Sequence, residues 1–255
     1  MSHEHTHPHE HPHKGDVSEE TSSGKWGMVI DQDICTGCQA CVAACAMENN
    51  ISFIGDTERG EADVAYGRSM QWIRIERFWE GEYPHVSMTD FKPMMCQQCG
   101  NAPCEPVCPV FASVHSAAED LNLQVYNRCI GTRYCANNCP YQVREFNWRS
   151  WPLPEPMNQR LNPSVTVRTV GVMEKCTFCI QRIHTGQDAA AAENREVHDG
   201  EVVPACAQAC PADAIVFGRI DDPESQVSQK ARDSRGYLQL EDLNTMPRVT
   251  YLKGG

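Results

Sequence analysis

The sequence predicts an α+β fold in which short strands and short helices alternate around tight groups of cysteines. Three observations predict it. Fifteen cysteines in 255 residues fall in four groups: Cys35, Cys38, Cys41 and Cys45; Cys96, Cys99, Cys104 and Cys108; Cys129, Cys135 and Cys139; Cys176, Cys179, Cys206 and Cys210. Cys108, Cys139 and Cys210 are each followed by proline, and the segments LNLQVYNR and AIVFG beside these groups read as short strands. The stretch SMQWIRIERFWEGEYPHVSM alternates apolar and polar residues on both sides of a glycine-containing turn, the pattern of a β-hairpin.

Taken in order, residues 1–24 are polar and predict a disordered tail, with His3, His5, His7, His9, His11 and His13 at strict alternation. Alternate residues of an extended chain share a side, so these imidazoles either chelate a divalent cation or form only a solvated tail. Order is expected to begin with the strand KWGMVID, and QACVAACAMEN reads as a short helix around the end of the first cysteine group. In the hairpin, Trp72 and Trp79 are assigned to core or interface packing. The second and third groups form an internal repeat. An alanine-rich patch, DAAAAENRE, predicts a helix between Cys179 and Cys206. A surface helix over ESQVSQKARDSR and a last strand, PRVTYL, complete the chain, and no chemistry is expected there.

Composition narrows the function. With 22 Lys and Arg against 34 Asp and Glu, the chain is poorly suited to nucleic acid or to unaided adsorption on an anionic membrane. No apolar run approaches the roughly 20 residues of a membrane span, and no charged start followed by an apolar region marks an export signal. The basic residues are uneven: Arg128, Arg133, Arg144, Arg149, Arg160, Arg168, Lys175 and Arg182 share a stretch with only Glu145, Glu155 and Glu174. Local counter-charge for anionic groups and a docking face both account for this excess.

The cysteine spacing carries the chemistry. Disulfides are disfavoured by the odd count and by CxxC spacings that crowd thiols locally. Zinc needs only four ligands and gives no reason for the third and fourth cysteines of a CxxCxxCxxxC run. That run fits iron-sulfur cubanes: three thiolates wrap one cluster, and the fourth, preceding proline, ligates the other cluster of a pair. Four cubanes with four thiolates each require one cysteine more than the fifteen present. The gap falls at Thr132, in CIGTRYCANNC. A hydroxyl is a poor iron ligand beside thiolate, so the expectation is three 4Fe-4S clusters and one 3Fe-4S cluster with Thr132 at its open corner. There is no CxxCH for haem, no glycine-rich nucleotide loop after a strand, and no Cys/His pair outside the groups; His115, His184 and His198 stand alone. No catalytic residue is expected.

The motifs CQQCGNAPCEPVCP and CIGTRYCANNCPY resemble those of the four-cluster ferredoxin-like electron-transfer subunits of the molybdopterin oxidoreductase superfamily complexes, over roughly residues 26–252. Within that family Thr132, YGRSMQWIRIERF and RYCANNCPYQVREFNW are most similar to the iron-sulfur component of alternative complex III and of the menaquinone reductase complex. The separate chain favours the latter. The resemblance implies that Cys35, Cys38, Cys41 and Cys210 bind one 4Fe-4S cluster, and Cys45, Cys176, Cys179 and Cys206 a second. It gives Cys96, Cys99, Cys104 and Cys139 to a third, and Cys108, Cys129 and Cys135 to the 3Fe-4S cluster. The implied fold is two interleaved ferredoxin-like domains with hairpin and loop insertions: an outer one over 25–92 and 150–255, an inner one over 93–149. The implied partners are a multihaem cytochrome c subunit, a molybdopterin-like large subunit and an integral membrane quinone-binding subunit. The resemblance places the chain peripherally on the membrane, on the periplasmic face and exported with a partner. The alternatives are the cytoplasmic face, service to a catalytic molybdopterin subunit, and a stand-alone polyferredoxin.

Overall fold

A computed structural model describes residues 24–52, 68–149, 153 and 155–254. The alternating histidines of the N-terminal stretch lie outside the described residues. The architecture is α+β, with strands and short helices mixed along the chain. Its first strand, β1 (Trp26–Asp31), and its last, β10 (Val249–Leu252), lie side by side and parallel. Two further strands complete this sheet antiparallel to their neighbours: β8 (Ile215–Arg219) on the outer side of β1, and β9 (Gly236–Leu238) beyond β10.

Every residue of β1 is buried, because both faces of the sheet are covered. On one face Val29 and Leu252 meet Val227, which is carried by the short helix α5 (Gln226–Ala231). On the other, Trp26, Met28 and Ile30 join the main core, where Trp26 stacks on Phe217 and Phe178 packs edge-on against the same ring. The expected surface helix is therefore shorter than ESQVSQKARDSR and pins the sheet. Ser225 caps it, its hydroxyl accepting from the Ser228 N–H at 3.2 Å.

The hairpin forms from β2 (Ile73–Glu82) and β3 (His85–Met95), so it runs on past the expected end, up to Cys96. Its root is core: Trp72 and Ile73 are buried, and Trp72 donates to Glu174 at 3.3 Å. Trp79, farther out, is 59 % exposed. Lys92 anchors the root, its ammonium facing the rings of Phe78, Tyr237 and Tyr251 and donating to Gln239. Two small ribbons complete the strands: β4 (Ser113–Ser116) with β5 (Leu121–Gln124), and β6 (Glu145–Phe146) with β7 (Met173–Glu174).

Four helices carry cysteines or start just after them: α1 (Ala40–Glu48), α2 (Tyr134–Asn137), α3 (Ile180–Ala192) and α4 (Ala205–Gln208). The third begins eight residues before the alanine patch that predicts it and ends at Ala192. Among the described residues no helix is long and apolar enough to cross a membrane.

Candidate iron-sulfur sites

All fifteen cysteines are free thiols. One cleft of about 330 Å³ is lined by Cys35, Cys38, Cys41 and Cys210, together with Ile75, Pro93 and Ile215. A second, of about 300 Å³, is lined by Cys96, Cys99, Cys104 and Cys139, with Arg144, Asn122 and Tyr141 on its wall. Cys45, Cys176, Cys179 and Cys206 form another gathering, in which burial and then the charges of Cys176, Cys206 and Cys179 push the Cys45 thiol well above its ordinary value. Cys135 and Cys129 are neighbours in the fourth. Cys108 stands near Arg144, which also faces Cys135.

Short helices explain how cysteines far apart in sequence share a site. Cys41 and Cys45 are one turn apart on α1, so one reaches the cleft of Cys35 while the other reaches Cys176. Against it packs α4, carrying Cys206 to the gathering of Cys45 and leading into Cys210 at the cleft of Cys35. In the same way α2 holds Cys135 and leads into Cys139, which lines the cleft of Cys96. The four gatherings adjoin in series. The charge of Cys41 reaches Cys206, that of Cys96 reaches Cys176, and that of Cys104 reaches Cys135. We number them first to fourth along this row.

Burial and thiol crowding act in the same direction. Desolvation, then the neighbouring thiolates, push Cys41 up to about 11 and Cys99 and Cys176 to about 12. Such sets resist ionising as bare thiolates and favour cations that replace the protons. The donors around the sulfurs are already aimed: the N–H groups of Ala112, Phe178, Met173 and Ala214 point at Cys108, Cys176, Cys129 and Cys210 at 3.1–3.4 Å. Asn49 reaches Cys45 at 3.5 Å. The buried Nε–H of Arg144 has no protein partner among the described residues, a donor left over for a further acceptor in the cleft. No three of the described Cys, His, Asp or Glu converge on a point that would hold a single metal ion. Thiols spread around clefts, with inward-facing N–H donors and a spare buried cation, fit a multi-iron anionic cluster.

The basic stretch divides. Arg144, Arg168 and Lys175 are buried. Arg168 pairs with buried Glu174 at 2.8 Å and donates to the carbonyls of Asn49 and Asn50. Lys175 donates to the carbonyls of Asn122 and Cys176. Arg182 pairs with Glu48 at 2.7 Å. These four serve the interior or tie helices together; of the other four, Arg149 is half-buried, Arg160 is exposed, and Arg128 and Arg133 are exposed beside the fourth gathering. Thr132 is exposed too, flanked by Ile130, 64 % exposed, and Tyr134, 59 % exposed. Two of the three isolated histidines find carboxylates: His115 bonds Asp120 at 2.6 Å and His184 bonds Glu119 at 3.0 Å.

The C-terminal stretch, expected to carry no chemistry, closes the third site. Thr245 bonds the Tyr141 hydroxyl, and its hydroxyl also favours the Cys99 thiolate against the burial that opposes it. The backbone carbonyls of Thr245 and Met246 accept from Asn101 and Gly100. Nothing in TMPRV signals this, because the contact exists only once β10 lies beside β1.

Comparison with known proteins gives one consistent family. A 4Fe-4S dicluster domain family matches residues 34–112 and 128–214, and a second family of the same description matches 87–153. The chain is 41 % identical over 232 residues to the menaquinone reductase iron-sulfur cluster-binding subunit of Nitratidesulfovibrio vulgaris, covering 89 % of this chain and 88 % of that one. It is 34 % identical to the Hdr-like menaquinol oxidoreductase iron-sulfur subunit 1 of Archaeoglobus fulgidus, over 91 % of this chain and 84 % of the relative. With the arsenate respiratory reductase iron-sulfur subunit of a Shewanella species it shares 32 % identity, over 89 % and 95 %.

Proposed function

Because the chain belongs to the 4Fe-4S dicluster family of iron-sulfur electron-transfer subunits, we propose that it relays electrons along its row of four cysteine sites between a multihaem cytochrome c subunit and a membrane quinone-binding subunit. The observation that carries this reading is the row itself, four thiol gatherings in series with an exposed non-cysteine residue, Thr132, in the last. Cys35, Cys38, Cys41 and Cys210 hold the first 4Fe-4S cluster; Cys45, Cys176, Cys179 and Cys206 the second; Cys96, Cys99, Cys104 and Cys139 the third. Cys108, Cys129 and Cys135 hold a 3Fe-4S cluster, open at Thr132. When bound, such clusters accept and release single electrons. The chain's own work is to fix their spacing through α1, α2 and α4, to exclude water with the core around Phe178, Met95 and Leu121, and to direct N–H donors at the sulfurs. The ligand sets make two interleaved ferredoxin-like halves, the outer over 25–92 and 150–255 and the inner over 93–149.

The fourth site is the docking end. Ile130, Tyr134 and Phe111 give it exposed apolar surface beside Arg128 and Arg133, suited to a quinone-binding membrane subunit, with a molybdopterin-like large subunit completing the complex on the periplasmic face. The similarity to the arsenate respiratory reductase subunit supports a second reading, in which the far end of the relay meets a catalytic molybdopterin subunit. The composition of the native complex separates the two. Multihaem cytochrome and a polytopic membrane subunit are expected to co-purify with this chain, and stoichiometric molybdenum would establish the second reading instead. EPR of the oxidised, anaerobically prepared protein is expected to show one 3Fe-4S signal; its absence would overturn the role given to Thr132.

A further inference from the structure

We propose that Arg144 sets the reduction potentials of the third and fourth sites together, as one fixed positive charge shared between them. The proposal rests on the cluster assignment above. Arg144 is buried, and its Nη1 lies 3.2 Å from Cys104 Sγ of the third site. Among the described residues no other Lys or Arg hydrogen-bonds a cysteine sulfur. The remaining partners of the guanidinium are neutral: Nη1 donates to Asn122 Oδ1 at 3.3 Å and Nη2 to Gln124 Oε1, while Nε has no protein acceptor.

The same charge reaches the fourth site. The guanidinium also faces Cys135, and Cys108 stands near it.

A buried cation without a carboxylate is costly unless another anion compensates it. Arg168 shows the usual solution, a buried pair with Glu174 at 2.8 Å. Among the described residues no carboxylate oxygen bonds Arg144, so its compensating charge is the thiolate-ligated groups on either side. Reduction adds one electron, taken from an external reductant, to a site facing this cation, and the nearby positive charge stabilises the added negative one. Lys175 and Lys92, also buried and bonded by no carboxylate among the described residues, differ because Lys175 bonds main-chain carbonyls and Lys92 bonds Gln239 and faces aromatic rings, neither of them bonding a sulfur. The effect of Arg144 therefore falls on the third and fourth sites and makes them the resting place of electrons entering from the first and second.

The test is an EPR-monitored titration of the full chain with dithionite, beside iron and acid-labile sulfide analysis. In Arg144→Gln both the third and fourth signals are expected to move to lower potential while the first and second stay in place; in Arg144→Lys the shift should be largely restored. Where Arg144→Gln fails to assemble, Gln124→Glu keeps the guanidinium and neutralises its charge, and is expected to lower the same two potentials. Potentials unmoved in these variants, or lowered equally at all four sites, would overturn the proposal. Wild-type protein that contains no iron or sulfide after anaerobic preparation would instead sink the cluster assignment on which it rests.

Discussion

The loops Cys35–Cys41 and Cys129–Cys135 follow one backbone path. Each has a glycine at positive φ, Gly37 at +64° and Gly131 at +76°, and two residues later a non-glycine in the same region, Gln39 at 65° and Arg133 at 62°, after which a helix starts. The residue between them is Cys38 in one loop and Thr132 in the other, and both are exposed. The N–H of Ala40 and the hydroxyl of Thr36 hold the Cys38 thiol below its ordinary value, as a ligand position requires. Under the proposed assignment, the path that presents a fourth ligand is thus kept where the ligand is not. What separates the loops is the atom at the tip and the way each loop is braced.

Exchanging the tips gives the largest expected effect. Thr132→Cys should abolish the 3Fe-4S signal of the oxidised protein and add iron at the fourth site, since the backbone already has the shape of its twin. Cys38→Thr should do the reverse and produce a new 3Fe-4S signal at the first site. EPR with iron analysis reads both. A Thr132→Cys protein that keeps its signal would show that the resemblance of the two paths does not extend to iron binding.

The braces differ in what they can yield. A Cβ added at Gly131 would stand 2.5 Å from the carbonyl oxygen of Gly171, and one at Gly37 would stand 2.2 Å from the ring of Phe91. Left-handed φ costs an L-residue about 1–2 kcal/mol at either position. At Gly131 the obstacle is backbone, tied down by the Gly171 N–H donating to Asn147 O at 2.8 Å, so overpacking adds a further ~1–3 kcal/mol. Phe91 is half-buried and can rotate aside. Thermal melts should therefore show Gly131→Ala losing more stability than Gly37→Ala; equal losses would mean that the two braces are equally compliant.

The twin loops were legible in the sequence because ligand spacing is local: CTGCQAC and CIGTRYC differ at positions that can be read by eye. So were β1, α1 and the hairpin, whose periodicity is their own. The braces were not. Arg144, Arg168 and Lys175 read as part of a basic stretch because charge alone does not reveal burial, and burial here is decided by β6 and β7 pairing across 26 intervening residues. Trp79 and Trp72 share one sequence pattern, yet only the one at the hairpin root reaches the core. Thr245 gave no signal at all, since its contact with Tyr141 depends on the two ends of the chain meeting in one sheet.

The third difference lies behind the second loop and has no counterpart behind the first. Phe146, whose ring lies against Gly131, follows Glu145, a half-buried carboxyl opposite Glu174 in the β6–β7 pair. Desolvation, with the charge of Glu174, pushes Glu145 up to about 7, and Arg74 only partly opposes this. The folded chain therefore binds this proton more tightly than the unfolded chain, where the ordinary value is 4.5. Its contribution to stability is complete below about pH 4.5 and is lost as pH rises through about 7. Glu145→Gln is neutral at every pH, so it should match the native protein near pH 4.5 and exceed it near pH 8 by about 1–3 kcal/mol. Thermal melts of the two proteins across this range test the sign directly. A constant difference between them would assign the effect to packing. A gain appearing only above neutral pH would show that the second loop rests on a brace weakened by its own buried charge.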